Sequence, residues 1–179
     1  MVTARSLLSE LKACGVSHVV GLADNSSAAL LSLLGNDDSV SFIAVTREGE
    51  AFALASGLWI GGKTAVVVVQ NTGLLESGDG LRGTAQRMRI PLVCFITYRG
   101  YEGKPFRLAK TERGPWTIED FSRADLDSAA IVTEPTLKAW NVPFEFLESD
   151  ADLAKVARAF SRAERESRPV ALLITGDMI

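Results

Sequence analysis

TREGEAFALASG (residues 46–57), KTAVVVVQNTGLL (63–75) and RMRIPLVCFIT (87–97) decide the fold of this chain. The apolar run Ser41–Val45 leads directly into the first of them. There the acidic Glu48 and Glu50 open an alanine-rich helix, read as Gly49–Ile60, as carboxylates favour the positive end of the helix dipole. Thr64–Gln70 is a valine run suited to a parallel strand covered on both faces. It breaks at Asn71-Thr72-Gly73, and an apolar run Pro91–Thr97 follows after a helix placed at about Gly78–Met88. Strand, helix, strand, helix, strand is the signature of a parallel sheet with crossover helices.

The same alternation extends to both ends. Leu7, Leu8, Leu11 and Cys14 share a helical face, with Gly15 as the C-terminal cap. His18–Leu22 is a short strand, and Asp24-Asn25-Ser26 offers caps for a helix carrying Leu30, Leu31, Leu33 and Leu34. Past Thr97, residues 98–133 are rich in Gly, charge and aromatics and longer than an ordinary loop, so a functional lobe or further structure is expected there. A short helix near Pro135–Trp140, a strand Pro143–Leu147, an amphipathic helix with Leu153, Val156, Ala157 and Phe160, and a strand Pro169–Thr175 complete the chain. The expected architecture is α/β: three layers, α/β/α, around a six-stranded, mostly parallel sheet, in a single domain spanning residues 1–179.

Composition sets the boundaries. The 179 residues are 47% hydrophobic and 23% charged, with a net charge of −3. That is too apolar for disorder, and the interspersed charges give no footprint for nucleic acid or an anionic membrane. The apolar run Ala65–Val69 is far too short to cross a bilayer. The two cysteines, Cys14 and Cys94, form neither a disulfide framework nor a metal-ligand pattern, and no metal ligands are assigned. A cytoplasmic location is expected. In such a sheet, ligands collect beyond the carboxyl ends of the strands, where Ala23–Ser27, Thr46–Glu50 and Gln70–Leu74 converge.

The order of these motifs resembles the pyrimidine-binding domain of thiamine-diphosphate enzymes. The pattern NEGxAxxLAxG followed by QNSGL is most similar to sulfopyruvate and phosphonopyruvate decarboxylases. Here it reads Arg47-Glu48-Gly49-Glu50-Ala51-Phe52-Ala53-Leu54-Ala55-Ser56-Gly57 and Gln70-Asn71-Thr72-Gly73-Leu74, with Arg47 where the pattern has Asn. The resemblance implies that Glu48 is catalytic. A carboxylate beside the aminopyrimidine shares a proton with the ring and so promotes deprotonation of the thiazolium carbon. Counting back from Gly57 selects Glu48 over Glu50 for this role. Read alone, without the resemblance, Glu48 is more readily a first-turn acid complementing the helix dipole.

Gln70, Asn71, Thr72 and Gly73 resemble the turn that contacts the pyrimidine. Asp24, Asn25 and Ser26 stand where relatives carry a substrate-side turn, though Ala23 replaces its Pro. Arg99 opens an Arg99-Gly100-Tyr101-Glu102-Gly103 segment matching the RGxxG of relatives, and suits an anionic substrate. Lys104, Arg107, Lys110 and Arg113 add positive charge. The His that relatives carry before a Gly has no counterpart in Lys110-Thr111-Glu112-Arg113-Gly114. Gly78-Asp79-Gly80 looks like the start of a diphosphate- and magnesium-binding element, but lacks the preceding strand and the later Asn pair, so it is set aside.

The resemblance further implies the smaller chain of a two-chain 2-oxo acid decarboxylase. Thiamine diphosphate and Mg2+ would be held mainly by a diphosphate-binding partner subunit, in a homodimer or hetero-oligomer acting on a small anionic 2-oxo acid. An exposed apolar patch is then expected, with Leu74, Leu75, Leu81 and Met88 as contributors. A pyrimidine-domain-like protein that binds a partner without catalysis is the alternative.

Overall fold

Four consecutive residues, Val66–Val69, are wholly removed from solvent, and their alternating side chains split the core in two. They belong to β3 (Ala65–Gln70) in a computed structural model that describes residues 1–103, Phe106 and residues 116–179. Val67 and Val69 enter one cluster with Phe52, Leu74, Leu81, Ile131 and Leu137. Val66 and Val68 enter the other with Leu7, Leu11, Leu30 and Val156. Each valine so buried contributes about 1.5–3 kcal/mol.

The remaining strands are β1 (His18–Gly21), β2 (Ser41–Ala44), β4 (Val93–Thr97), β5 (Phe144–Leu147) and β6 (Val170–Ile174). Their order in space is β2-β1-β3-β4-β6-β5, and every pairing is parallel, so the sheet is wholly rather than mostly parallel. Helices α1 (Ala4–Ala13), α2 (Ala28–Leu34) and α6 (Ala154–Glu166) cover one face. Helices α3 (Glu48–Ile60), α4 (Asn71–Glu76), a π-helical segment Gly80–Gln86 and α5 (Ser128–Ala139) cover the other. This is the expected α/β/α sandwich. The chain runs outward in one direction from β1 to β2 and in the other from β3 onward, so the topological switch lies between β1 and β3.

Several local expectations are corrected. The chain already turns helical at Asn71, as α4, and the helix placed at Gly78–Met88 follows after Ser77 mainly as the rare π form, Gly80–Gln86. Gly80 is needed for that packing, since a Cβ there would lie 2.5 Å from the Gly49 carbonyl oxygen of α3. The Gly78-Asp79-Gly80 sequence therefore has a packing role. Helix α5 begins seven residues before Pro135, where the Asp127 carboxylate accepts from the Ala129 and Ala130 N–H groups at 2.9 and 3.2 Å. Of the expected exposed patch, Leu74 and Leu81 are fully buried, whereas Met88 is exposed. In α6 the buried stripe is Val156, Ala159 and Ala163, and Ala157 faces solvent.

Candidate active site

Glu48 is the first residue of α3, and the helical period places it on the stripe of Ala51, Phe52 and Ala55 at i+3, i+4 and i+7. Those three residues are buried against the sheet, so Glu48 is drawn inward at the carboxyl end of β2 and is half-buried. Glu50 lies on the outward side and is exposed; its carboxylate accepts from the Thr46 N–H and hydroxyl, both at 3.2 Å. The two acids of the first turn thus have different environments. Glu48 makes no hydrogen bond or ion pair with the other described residues.

What Glu48 does touch is the Gln70–Gly73 turn. A Cβ on Gly73 would come within 2.4 Å of Glu48 Cγ and 2.7 Å of its Oε1, so only glycine admits this approach. Thr72 donates its hydroxyl to Gln70 Oε1 at 2.7 Å, leaving the Gln70 amide NH2 without an acceptor among the described residues. Asn71 is wholly buried; its Nδ2 donates to the Arg99 carbonyl at 3.1 Å and to Thr133 Oγ1 at 3.2 Å. It ties the ends of β3 and β4 to α5, while its Oδ1 has no hydrogen-bond partner among the described residues.

The loop after β1 is self-contained. Asp24 Oδ1 accepts from the Ser26 and Ser27 N–H groups at 2.8 and 3.2 Å, and Oδ2 accepts from Ser27 Oγ at 2.9 Å and Thr97 Oγ1 at 3.1 Å. The carboxylate is spent on shaping the loop and fastening it to β4. Asn25 is exposed beside it. Ser26 donates to Asp177 at 2.6 Å, and Arg99 is anchored through Nε on Asp127 at 2.8 Å. Ser26 and Arg99 share the lining of a cavity of about 210 Å³ with Tyr98, Thr175 and Asp177 over β4 and β6, and Glu48 does not line it. Glu48 and Gly73 are brought together, as are Ser26 and Arg99, but the two pairs do not share this cavity. His18 contacts Ser17 Oγ at 2.9 Å at the opposite end of the sheet. Lys104, Arg107, Lys110 and Arg113, and the segment 110–114 without its His, lie outside the described residues.

Two acids were not singled out from the sequence. Glu76, the last residue of α4, holds Arg47 and the Gly49 N–H, and Asp127 orients Arg99. For Glu76 the one available signal was Arg47 in place of Asn. For the choice between Glu48 and Glu50 it was helical phase. Among the described residues, no group of three or more His, Cys, Asp or Glu could hold a metal ion. No helix among them is long and apolar enough to cross a membrane.

The site therefore offers an unpartnered, half-buried carboxylate packed on a glycine of an amide-bearing turn, at the switch point of a parallel sheet. Residues 1–112 match the family model of the thiamine pyrophosphate enzyme N-terminal TPP binding domain. The chain belongs to that family. This thiamine-pyrophosphate-binding domain is similar to a phosphonopyruvate decarboxylase of Streptomyces hygroscopicus, 30% identical over 135 residues, which are 75% of this chain and 34% of that protein. It is similar also to a sulfopyruvate decarboxylase subunit alpha of Methanothermobacter thermautotrophicus, 27% identical over 161 residues, 90% of this chain and 92% of that one. A second phosphonopyruvate decarboxylase, from Streptomyces viridochromogenes, is 34% identical over 104 residues, 58% of this chain and 26% of that protein. The chain thus spans about a third or less of the Streptomyces relatives and nearly all of the archaeal subunit. Its pyrimidine-binding fold and its relationship to decarboxylases agree with the expectation from the sequence.

Proposed function

We propose that this chain is the pyrimidine-side subunit of a thiamine-diphosphate-dependent decarboxylase whose substrate is a small 2-oxo acid with a second anionic group, of the sulfopyruvate or phosphonopyruvate kind. The observation that carries the reading is Glu48: inward on α3, without a partner among the described residues, and seated on Gly73. An aminopyrimidine ring fits this setting, because Glu48 offers a carboxylate to a ring nitrogen and the Gln70 amide offers donors beside it. When bound, thiamine diphosphate supplies a nucleophilic thiazolium carbon and a sink for the electron pair left when CO2 departs. Glu48 holds and exchanges the proton at the pyrimidine ring nitrogen. Gln70, Thr72 and Gly73 line the ring's approach, and Asn71 keeps their turn in place from within the core. Asn25 and Ser26 stand on the substrate side; Asp24 acts there by shaping the loop, and Arg99 offers a guanidinium to an anionic group.

The diphosphate and its Mg2+ fall to a partner subunit, in keeping with the subunit naming of the archaeal relatives. A docking face is available on the outer side of α3, where Ala53, Leu54, Gly57 and Ile60 follow one another at helical spacing and are exposed. Ile60 is 60% exposed and Met88, beyond the π-helical segment packed on α3, is 55% exposed. On this reading the exposed apolar side of α3 meets the partner subunit. The working assembly is a hetero-oligomer, in the cytoplasm.

The test is CO2 release from sulfopyruvate and phosphonopyruvate by this chain co-purified with a diphosphate-binding subunit, with thiamine diphosphate and Mg2+. Glu48→Gln is expected to lower turnover by about 10²–10⁴-fold, the usual range for a positioned acid–base group, with the complex intact. Turnover unchanged in Glu48→Gln would overturn the assignment. Cofactor binding without turnover would reject the substrate class, and no binding would favour the non-catalytic alternative.

A further inference from the structure

The residue best placed to disable Glu48 is its own neighbour. Arg47 carries a permanent charge on a long side chain that is 72% exposed. Its backbone is extended at the start of α3, and its side chain does not cap that helix. Arg47 directly precedes Glu48, whose half-buried carboxylate has no partner among the described residues and would attract a guanidinium turned toward it. Here it is turned the other way. Arg47 Nε and Nη2 donate to Glu76 Oε1 at 3.2 and 2.6 Å, and Glu76 Oε2 accepts the Gly49 N–H at 2.7 Å. A single carboxylate, reaching across from the end of α4, thus occupies both donors flanking Glu48. Thr46, the next donor back, is taken by Glu50.

The spacing within α4 makes this a linked device. The helix begins at Asn71, presents Gly73 to the Glu48 side chain, and ends at Glu76 on the residues either side of Glu48. We propose that Glu76 is a positioning residue that holds Arg47 off Glu48 and pins the first turn of α3, so that the Glu48 carboxylate stays open toward the cofactor ring. The proposal rests on the reading of Glu48 given above. Arg47, then the Gly49 N–H, hold the Glu76 carboxyl below the usual carboxylate range, so the pairing is in force at neutral pH. Because the pair lies at the surface, its worth to folding is small and its effect is local.

Two readouts test it, one without any activity. In the isotopically labelled full chain, NMR contacts from the Arg47 Nε–H should reach Glu76 in the wild type and move to Glu48 in Glu76→Gln, with Tm lowered by no more than about 4 °C. In the assembled complex with thiamine diphosphate and Mg2+, Glu76→Gln should slow deuterium exchange at the thiazolium carbon by at least about tenfold while cofactor affinity changes by less than about threefold. The double variant Glu76→Gln/Arg47→Ala should restore exchange to within about threefold of wild type, since the intruding guanidinium is gone. An Arg47 that does not contact Glu76 in the wild type, or that stays away from Glu48 in the variant, overturns the proposal. So does a double variant as slow as Glu76→Gln, which would make Glu76 a helix cap and nothing more. If Glu48→Gln exchanges at the wild-type rate, it is the catalytic reading of Glu48 that fails, and the NMR contacts alone then decide the clamp.

Discussion

Gly73→Ala probes the contact on which the site is built. The new Cβ would stand 2.4 Å from Glu48 Cγ, 2.8 Å from Cδ and 2.7 Å from Oε1. Carbon atoms pack at about 3.5–4.0 Å, so the Glu48 side chain must withdraw by more than about 1 Å. Turning it off its rotamer costs about 0.5–1.5 kcal/mol, and residual overpacking in a buried turn adds about 1–3 kcal/mol where the backbone cannot give. Against this, Ala is favoured over Gly inside a helix by about 1 kcal/mol, and Glu48 has no hydrogen bond to the described residues to lose. The net change is a loss of about 0.5–3.5 kcal/mol in the wild-type background. In Glu48→Ala the three clashing atoms are absent, and the same substitution becomes stabilising by up to about 1 kcal/mol. Urea denaturation of the full chain in all four combinations measures the coupling, which is the rotamer and overpacking cost together, about 1.5–4.5 kcal/mol. Equal effects of Gly73→Ala in both backgrounds would show that Glu48 does not rest on Gly73, and the site would have to be rebuilt without that contact.

Three further substitutions probe the surroundings by the same denaturation assay. Gly80→Ala sets a Cβ 2.5 Å from a backbone oxygen, Gly49 O, and should cost about 1–3 kcal/mol, since a backbone cannot rotate away as a side chain does. Asp24→Ala removes the acceptor of two N–H groups and of the buried Ser27 and Thr97 hydroxyls, for a loss of about 1–3 kcal/mol, with Asp24→Asn milder. Burial pushes the Cys94 thiol up to about 12. The unfolded thiol releases its proton near pH 8.5, so above that pH the unfolded state binds fewer protons and stability falls. The decline is about 1.4 kcal/mol per pH unit, or about 2 kcal/mol between pH 8.5 and 10. Measured in a Cys14→Ser background, a decline that persists in Cys94→Ala would show that another group is responsible.

The sheet was legible because its central strands carry their burial in their composition. The β3 valines and the Val-Cys-Phe-Ile-Thr of β4 are apolar at every position, as strands covered on both faces must be. The helices around Pro135 and Asn71 were misjudged for one reason: Pro and Gly were given their average meaning. Pro135 was read as a first-turn residue, yet the Asp127 cap and the burial of Ile131 and Leu137 carry α5 through it. Gly73 was read as turn chemistry, yet it is helical and glycine is required there by the Glu48 side chain. Of the site, the convergence of Thr46–Glu50 with Gln70–Leu74 was legible from the alternation of strands and helices, which sends the segments after the strands to one end of the sheet. Glu76 was not, because a contact between helices some thirty residues apart leaves no period or spacing in the sequence.

Helix α3 shows how one element can serve two surfaces. Its inward stripe, Glu48, Ala51, Phe52 and Ala55, sets a carboxylate above a packed core; its outward stripe, Ala53, Leu54, Gly57 and Ile60, is apolar and uncovered. A helix apolar on both sides is stable in water only if something else covers the second side. On the proposed reading a partner subunit does so, and each large side chain it buries contributes up to about 1.5–3 kcal/mol to association. Glu48 lies on the inward stripe and is half-buried, so on that reading its enclosure needs partner contacts beyond the outward stripe. On the proposed reading, a Glu48 without a partner among the described residues, with its neighbouring arginine tied back to Glu76, is an acid left open for a partner subunit to enclose.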